Sequence, residues 1–110
     1  MPRFNTIFLE EADEFFESLD VKVKAKILFN IVKAQQMNDP ILFKKLTTEI
    51  WELRTVYQNL QYRLFAFWDK RDKEDTLVIC THGIIKKTDK VPSKDIEKAE
   101  KVRKYYFENQ

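Results

Sequence analysis

The chain has 110 residues and a mass of 13.3 kDa, with 44% hydrophobic and 35% charged residues, enough for one core and too few for two. Twenty Lys and Arg against 18 Asp and Glu leave a formal charge of +2, which excludes a histone-like polycation and requires any basic site to be local. One Gly, three Pro and nine Phe are the opposite of a disordered composition, so a single folded domain is expected over residues 1–110.

In chain order, RFNTIF at 3–8 suits a short strand. Leu9, Ala12, Phe16 and Leu19 then recur at helical spacing and predict a first helix over about 10–19. The carboxylates around it, Glu10, Glu11, Asp13, Glu14 and Glu17, point in too many directions to converge on a metal and read as a solvated face. A second helix is predicted from Val21, Ala25, Leu28 and Val32 with Ile27, Ile31 and Ala34 as a broad apolar stripe, ending near Asn38 to Pro40.

From Ile50 the period changes to two. IWELRTVY, LQYRLFAFW and TLVICTHGI predict three strands of an antiparallel meander, with the charge-dense DKRDKED at 69–75 as a hairpin loop. Pro92 and Ser93 open a last helix carrying Ile96, Ala99, Val102 and Tyr106 on one side. Alternation sends Trp51, Leu53, Tyr62, Leu64, Ala66 and Trp68 toward the N-terminal helices. Glu52, Arg54, Arg63, Phe65 and Phe67 are left looking out from the opposite face.

Charge follows this division: residues 1–43 carry a net −2, 44–90 a net +3 and 91–110 a net +1. Arg54, Arg63, Lys86, Lys87 and Lys90, with Phe65 and Phe67, are the residue types that grip phosphate and stack on RNA bases. Singly, each arginine also fits the solvated side of a sheet. His82, the only histidine, closes an apolar strand, where it is either a structural residue or a catalyst. Cys80 lies two residues before it, on the same face by alternation, and reads as buried and inert. One Cys and one His exclude an internal disulfide and a Cys/His zinc site, and a reducing, cytoplasmic setting is expected. No apolar run approaches a membrane span, and the N-terminus turns acidic too early for a secretory signal.

WELR at 51–54, QYRLFAFW at 61–68 and THGIIKKTDKVPSKDIEKAEKVRKYY at 81–106 together resemble the RelE/ParE superfamily of toxin-antitoxin toxins, closest to its HigB-like, phage-derived branch. The resemblance covers nearly the whole chain. It implies an α+β fold with two N-terminal helices packed on an antiparallel sheet of about four strands and a C-terminal helix. It also implies a ribosome-dependent messenger-RNA endonuclease, needing no metal or other cofactor and silenced by an antitoxin of the helix-turn-helix, HigA-like kind. Arg63 in QYR matches the family's catalytic arginine, Arg54 a neighbouring basic position, and Lys86 and Lys87 the basic residue after the last strand. Ile50 and Glu52 stand where the family has lysines, which leaves the general base open among His82, Glu52 and a lysine. The same fold also serves gyrase inhibitors of the ParE kind and would serve a non-catalytic, antitoxin-binding regulatory partner.

Overall fold

The computed structural model describes residues 2–88, 90 and 93–109. Strand β1 (Asn5–Phe8) leads into helices α1 (Glu10–Glu17) and α2 (Val21–Gln36). Strands β2 (Phe43–Lys45), β3 (Trp51–Tyr57), β4 (Leu60–Asp69) and β5 (Leu77–Lys86) follow, and then helix α3 (Ser93–Glu108). Ser93 is the first residue of α3, while Pro92 lies outside the described residues. Among the described residues no helix is long and apolar enough to cross a membrane.

The fold is α+β, with all five strands in one sheet ordered β1-β5-β4-β3-β2. β3, β4 and β5 form the expected antiparallel meander, but the sheet is mixed and larger than expected. β1 pairs parallel with β5, from Asn5 opposite Leu77 to Phe8 opposite Cys80, and β2 adds antiparallel to β3. The three residues of β2 are too few for alternation to show, and a parallel pair has no turn to announce it.

Each boundary has a local cause. Glu10, Glu11 and Asp13 place negative charge in the first turn of α1, which favours its N-terminus, and all three are exposed. At the other end Ser18 returns its backbone N–H to Glu14 and its hydroxyl to Phe15, stopping the helix two residues short of the expected region. Asp20 caps α2 through the backbone N–H of Lys22 at 3.3 Å. The broad stripe of α2 is split by the packing: Val23, Ile27, Ile31 and Ala34 are buried, whereas Val21, Leu28 and Val32 remain exposed. The two-residue turn between β3 and β4 has positive φ at Gln58 (50°) and Asn59 (67°), the twist a tight hairpin requires.

The sheet is buried on both faces. Leu53, Tyr62, Leu64 and Ala66 meet Val23, Ile27 and Ile31 of α2 in the larger core, with Trp51 and Trp68 at its rim, as alternation predicts. The opposite face is not open. Ile50, Phe65, Phe67 and Ile79 form a second core beneath Ala99, Ile96, Tyr106 and Phe107 of α3. The far end of α3 is fixed to β4 by Asp69, which accepts from Tyr106 Oη at 2.8 Å and from Arg71 Nε and Nη2 at 3.0 and 2.7 Å. Those donors, Arg71 foremost, outweigh desolvation and hold the Asp69 carboxyl down at about 2.

β5 carries a bulge. Phe65 faces His82 but Ala66 faces Cys80, leaving Thr81 as the extra residue. The bulge reverses the alternation, so Cys80 points into the α1/α2 core while His82 lies on the α3 side, correcting the expectation that they share a face. Cys80 is fully buried, and burial pushes its thiol far above the usual range.

Gly83, just after the bulge, is where α1 presses closest to the sheet. A Cβ there would meet Phe15 Cδ2 at 2.3 Å and Cγ at 2.7 Å, so the ring would have to shift as a whole. Gly83→Ala is expected to destabilise the fold by about 1–3 kcal/mol, the usual cost of overpacking, read as a lower urea midpoint at unchanged slope. Combining it with Phe15→Leu should recover part of the loss, and strictly additive effects would show that the two positions are not in contact.

Candidate functional site

The candidate cations of the sheet fall on three successive rows across the α3-side face, about 7 Å apart by strand geometry. The first row is Glu52, Phe65 and His82; the second is Arg54, Arg63 and Ile84; the third is Val56, Gln61 and Lys86. The register thus brings Arg54, Arg63 and Lys86 to one corner of the sheet.

Two arginines directly opposite one another repel. Glu52, on the adjoining row, resolves this by placing its carboxylate between them: Oε1 is 3.2 Å from Arg63 Nη1, and Oε2 is 3.9 Å from Arg54 Nε. Arg63 is only 2% exposed and Glu52 1%, and Arg63 Nη2 also donates to Gln61 Oε1. Arg63 is therefore not the outward-facing residue that alternation suggested: its guanidinium is held against Glu52 and Gln61 instead of standing out in water. Removing it would strand Glu52 as a buried charge, at about 3–5 kcal/mol. Arg54 is the more accessible of the two, with 23% of its side chain exposed, and its Nη1 donates to the Pro40 carbonyl at 3.4 Å.

Phe65 and Phe67 are not placed to stack on RNA. Both have zero exposure; Phe65 lies against the His82 ring at 4.8 Å and 17°, and Phe67 packs against Tyr106 and Phe107. Their ring faces are spent on the second core, a consequence of α3 lying over the meander. Lys86, Lys87 and Lys90 gather beyond the end of β5, where Lys86 Nζ donates to the Lys90 carbonyl and Lys87 and Lys90 are exposed. Among the described residues no three His, Cys, Asp or Glu side chains converge as metal ligands do.

His82 is 2% exposed and held at both ring nitrogens, with Nδ1 2.8 Å from Thr81 Oγ1 and Nε2 3.2 Å from Asp95 Oδ1. Asp95 was not legible as a site residue; it occupies the first turn of α3, where negative charge suits the helix N-terminus, and that role alone would explain it in the sequence. Desolvation lowers the His82 pKa, outweighing the upward pull of Asp95 and, at longer range, of Glu11. The folded protein thus keeps this imidazole neutral near pH 7, a state in which it can accept a proton.

This has a measurable consequence. An imidazole that binds its proton less readily when folded costs stability as pH falls through the unfolded value of about 6.5, and costs nothing above it. Chemical denaturation should show constant stability from pH 8 to 7 and a decline toward pH 5.5, with a slope of up to about 1.4 kcal/mol per pH unit. His82→Gln should flatten that decline. Because the chain has no other histidine, an unchanged slope in the variant would mean that His82 is not held neutral by the fold.

The model of the phage-derived protein Gp49-like family (DUF891) matches residues 14–104. No curated protein matches the sequence significantly. The matched stretch runs from within α1 almost to the end of α3, so it contains the three rows of the cationic corner and the helices on both faces of the sheet. The chain belongs to the Gp49-like family of phage-derived proteins, a family of RelE/ParE-type toxins.

Proposed function

We propose that this toxin is a HigB-like endoribonuclease that cuts messenger RNA on the ribosome in the cytoplasm and so stops translation. The observation that carries the reading is the corner where Arg54, Arg63 and Lys86 meet on adjacent rows of three rigid strands. Cleavage by a 2′-hydroxyl requires removal of one proton, stabilisation of a phosphorane bearing extra negative charge, and protonation of the departing 5′-oxygen. Cations fixed in advance supply the second requirement without reorganising. Arg54 is the phosphate-facing guanidinium, and Arg63, braced by Glu52 and Gln61, fixes the position of that corner. We assign Lys86 and Lys87 to the leaving side, where an ammonium group gives its proton to the departing 5′-oxygen.

His82 is the base best suited to the first step, since burial keeps it unprotonated, whereas Glu52 is engaged by two guanidiniums. Facing the Asp95 carboxylate, Nε2 carries the ring proton and the lone pair is at Nδ1 against the Thr81 hydroxyl, so proton abstraction by His82 requires Thr81 to turn aside, with Asp95 stabilising the imidazolium that forms. A site whose cations are half-covered gains most from a ribosome that presents the nucleotide already aligned for attack. Membership in the family implies an antitoxin partner, and we assign to it a helix-turn-helix, HigA-like architecture. The burial of Arg63 against Glu52 is also the feature that best fits a gyrase inhibitor of the ParE kind, in which the same pair would be purely structural.

Brief induction without antitoxin should produce cuts within translated regions, mapped by primer extension on cellular messages. Arg54→Ala should lower the cleavage rate by about 10²- to 10³-fold, as for loss of one preorganised donor, while the far-ultraviolet spectrum and antitoxin capture persist. Intact messages accompanied by stabilised gyrase–DNA breaks would instead assign the protein to the second class.

A further inference from the structure

With Phe65 and Phe67 buried, the protein needs some other aromatic surface if it grips single-stranded RNA, and the sheet edge beside the arginines has one. β2 pairs only as far as Phe43 opposite Leu53 and Arg54 N–H still donates to the Leu42 carbonyl, but beyond Arg54, among the described residues, β3 has no strand on its outer side. There a groove runs beside α2, lined by Lys26, Asn30 and Lys33 from the helix, by Arg54, Gln61 and Arg63 from the strands, and by the apolar Ile41, Leu42 and Val56. Among the described residues no Asp or Glu lines it. On its helical rim stands Phe29, 59% exposed, with the ammonium groups of Lys26 and Lys33 at 5.5 and 5.9 Å from its ring centre. Lys26, Phe29 and Lys33 follow one another at spacings of three and four residues, which α2 stacks on one side.

We infer that this groove, with Phe29 as its stacking platform, is a binding track for single-stranded RNA leading to Arg54. Cations spaced along a groove hold phosphates, and an exposed ring at the rim accepts any base face, the combination that sequence-tolerant single-strand binders use. The two lysines held beside the ring keep it surrounded by positive charge, so a stacked base brings its phosphates to donors already in place. The ligand's identity rests on the ribonuclease reading; the groove and its residues do not.

The test is fluorescence anisotropy of the purified chain with a labelled single-stranded RNA of about eight nucleotides, within the range of one such site, over a series of salt concentrations. Lys26→Ala/Lys33→Ala should weaken binding and reduce the log–log salt slope by about 1.4, at roughly 0.7 for each lost phosphate contact on a single strand. Phe29→Ala should weaken binding about tenfold at little change in slope, and Phe29→Trp should restore it. Lys101→Ala/Lys104→Ala, on the exposed side of α3, serves as the charge-matched control and should bind as the unaltered chain does. Equal affinity and slope in the two lysine pairs would overturn the inference. So would an unaltered chain that binds no RNA but whose Lys26/Lys33 variant loses capture of the antitoxin, which would give the groove to a protein. Message cleavage in a translation extract separates this from the broader reading. Groove-dependent RNA binding with intact messages removes the nuclease and leaves the groove, whereas undiminished cleavage and binding by the variants removes the groove and leaves the nuclease.

Discussion

A carboxylate buried between two guanidiniums governs this structure. Glu52 and Arg63 are almost wholly out of water, and neither could be so without the other, because an isolated buried charge costs several kcal/mol. Their pairing lets two arginines stand opposite each other on β3 and β4, and it lets α3 close over the adjoining rows to complete the second core. The same pairing sets the character of the functional corner. Cations immobilised by a neighbouring anion are rigid and partly neutralised, which suits the positioning of a phosphate more than its capture from solution. Capture then has to come from cations elsewhere, and α2 supplies them.

Much of the fold was legible because period-two alternation over β3, β4 and β5 is unbroken for long stretches. Trp51, Leu53, Tyr62, Leu64, Ala66 and Trp68 all face the side they were expected to face. What alternation could not show was whether the other face is wet. The apolar residues of α3 are few and widely spaced, with Ala99 alone fully buried, so its stripe reads as a modest amphipathic helix rather than as a lid on a core. That single ambiguity displaced two site expectations at once, since Phe65 and Phe67 became core, while Arg63 was drawn inward by Glu52.

The bulge at Thr81 was equally invisible. Nothing in LVICTHGI marks Thr81 as the extra residue, yet one inserted residue moves His82 from the side of Cys80 to the side of Phe65 and Asp95. The placement of a histidine thus depended on a pairing shift between strands, which belongs to β4 as much as to β5. By contrast, the clustering of Arg54, Arg63 and Lys86 followed from register alone, because residues on neighbouring strands are matched by the hairpin turns that join them. Lys26 and Lys33 are exposed on α2, and their proximity to Arg54 needs the three-dimensional groove.

The parallel partnership of β1 with β5 ties the timing of synthesis to the completion of the sheet. Asn5–Phe8 is made before Leu77–Cys80 and cannot pair until that strand has followed, and the second core waits longer still for α3. The meander can form earlier, since its contacts are local, but a nascent chain would hold Phe65 and Phe67 exposed until the last helix arrives. The corner where Arg54, Arg63 and Lys86 meet is likewise complete only once β5 has joined the meander, so the strand that gives β1 its partner also closes the functional corner.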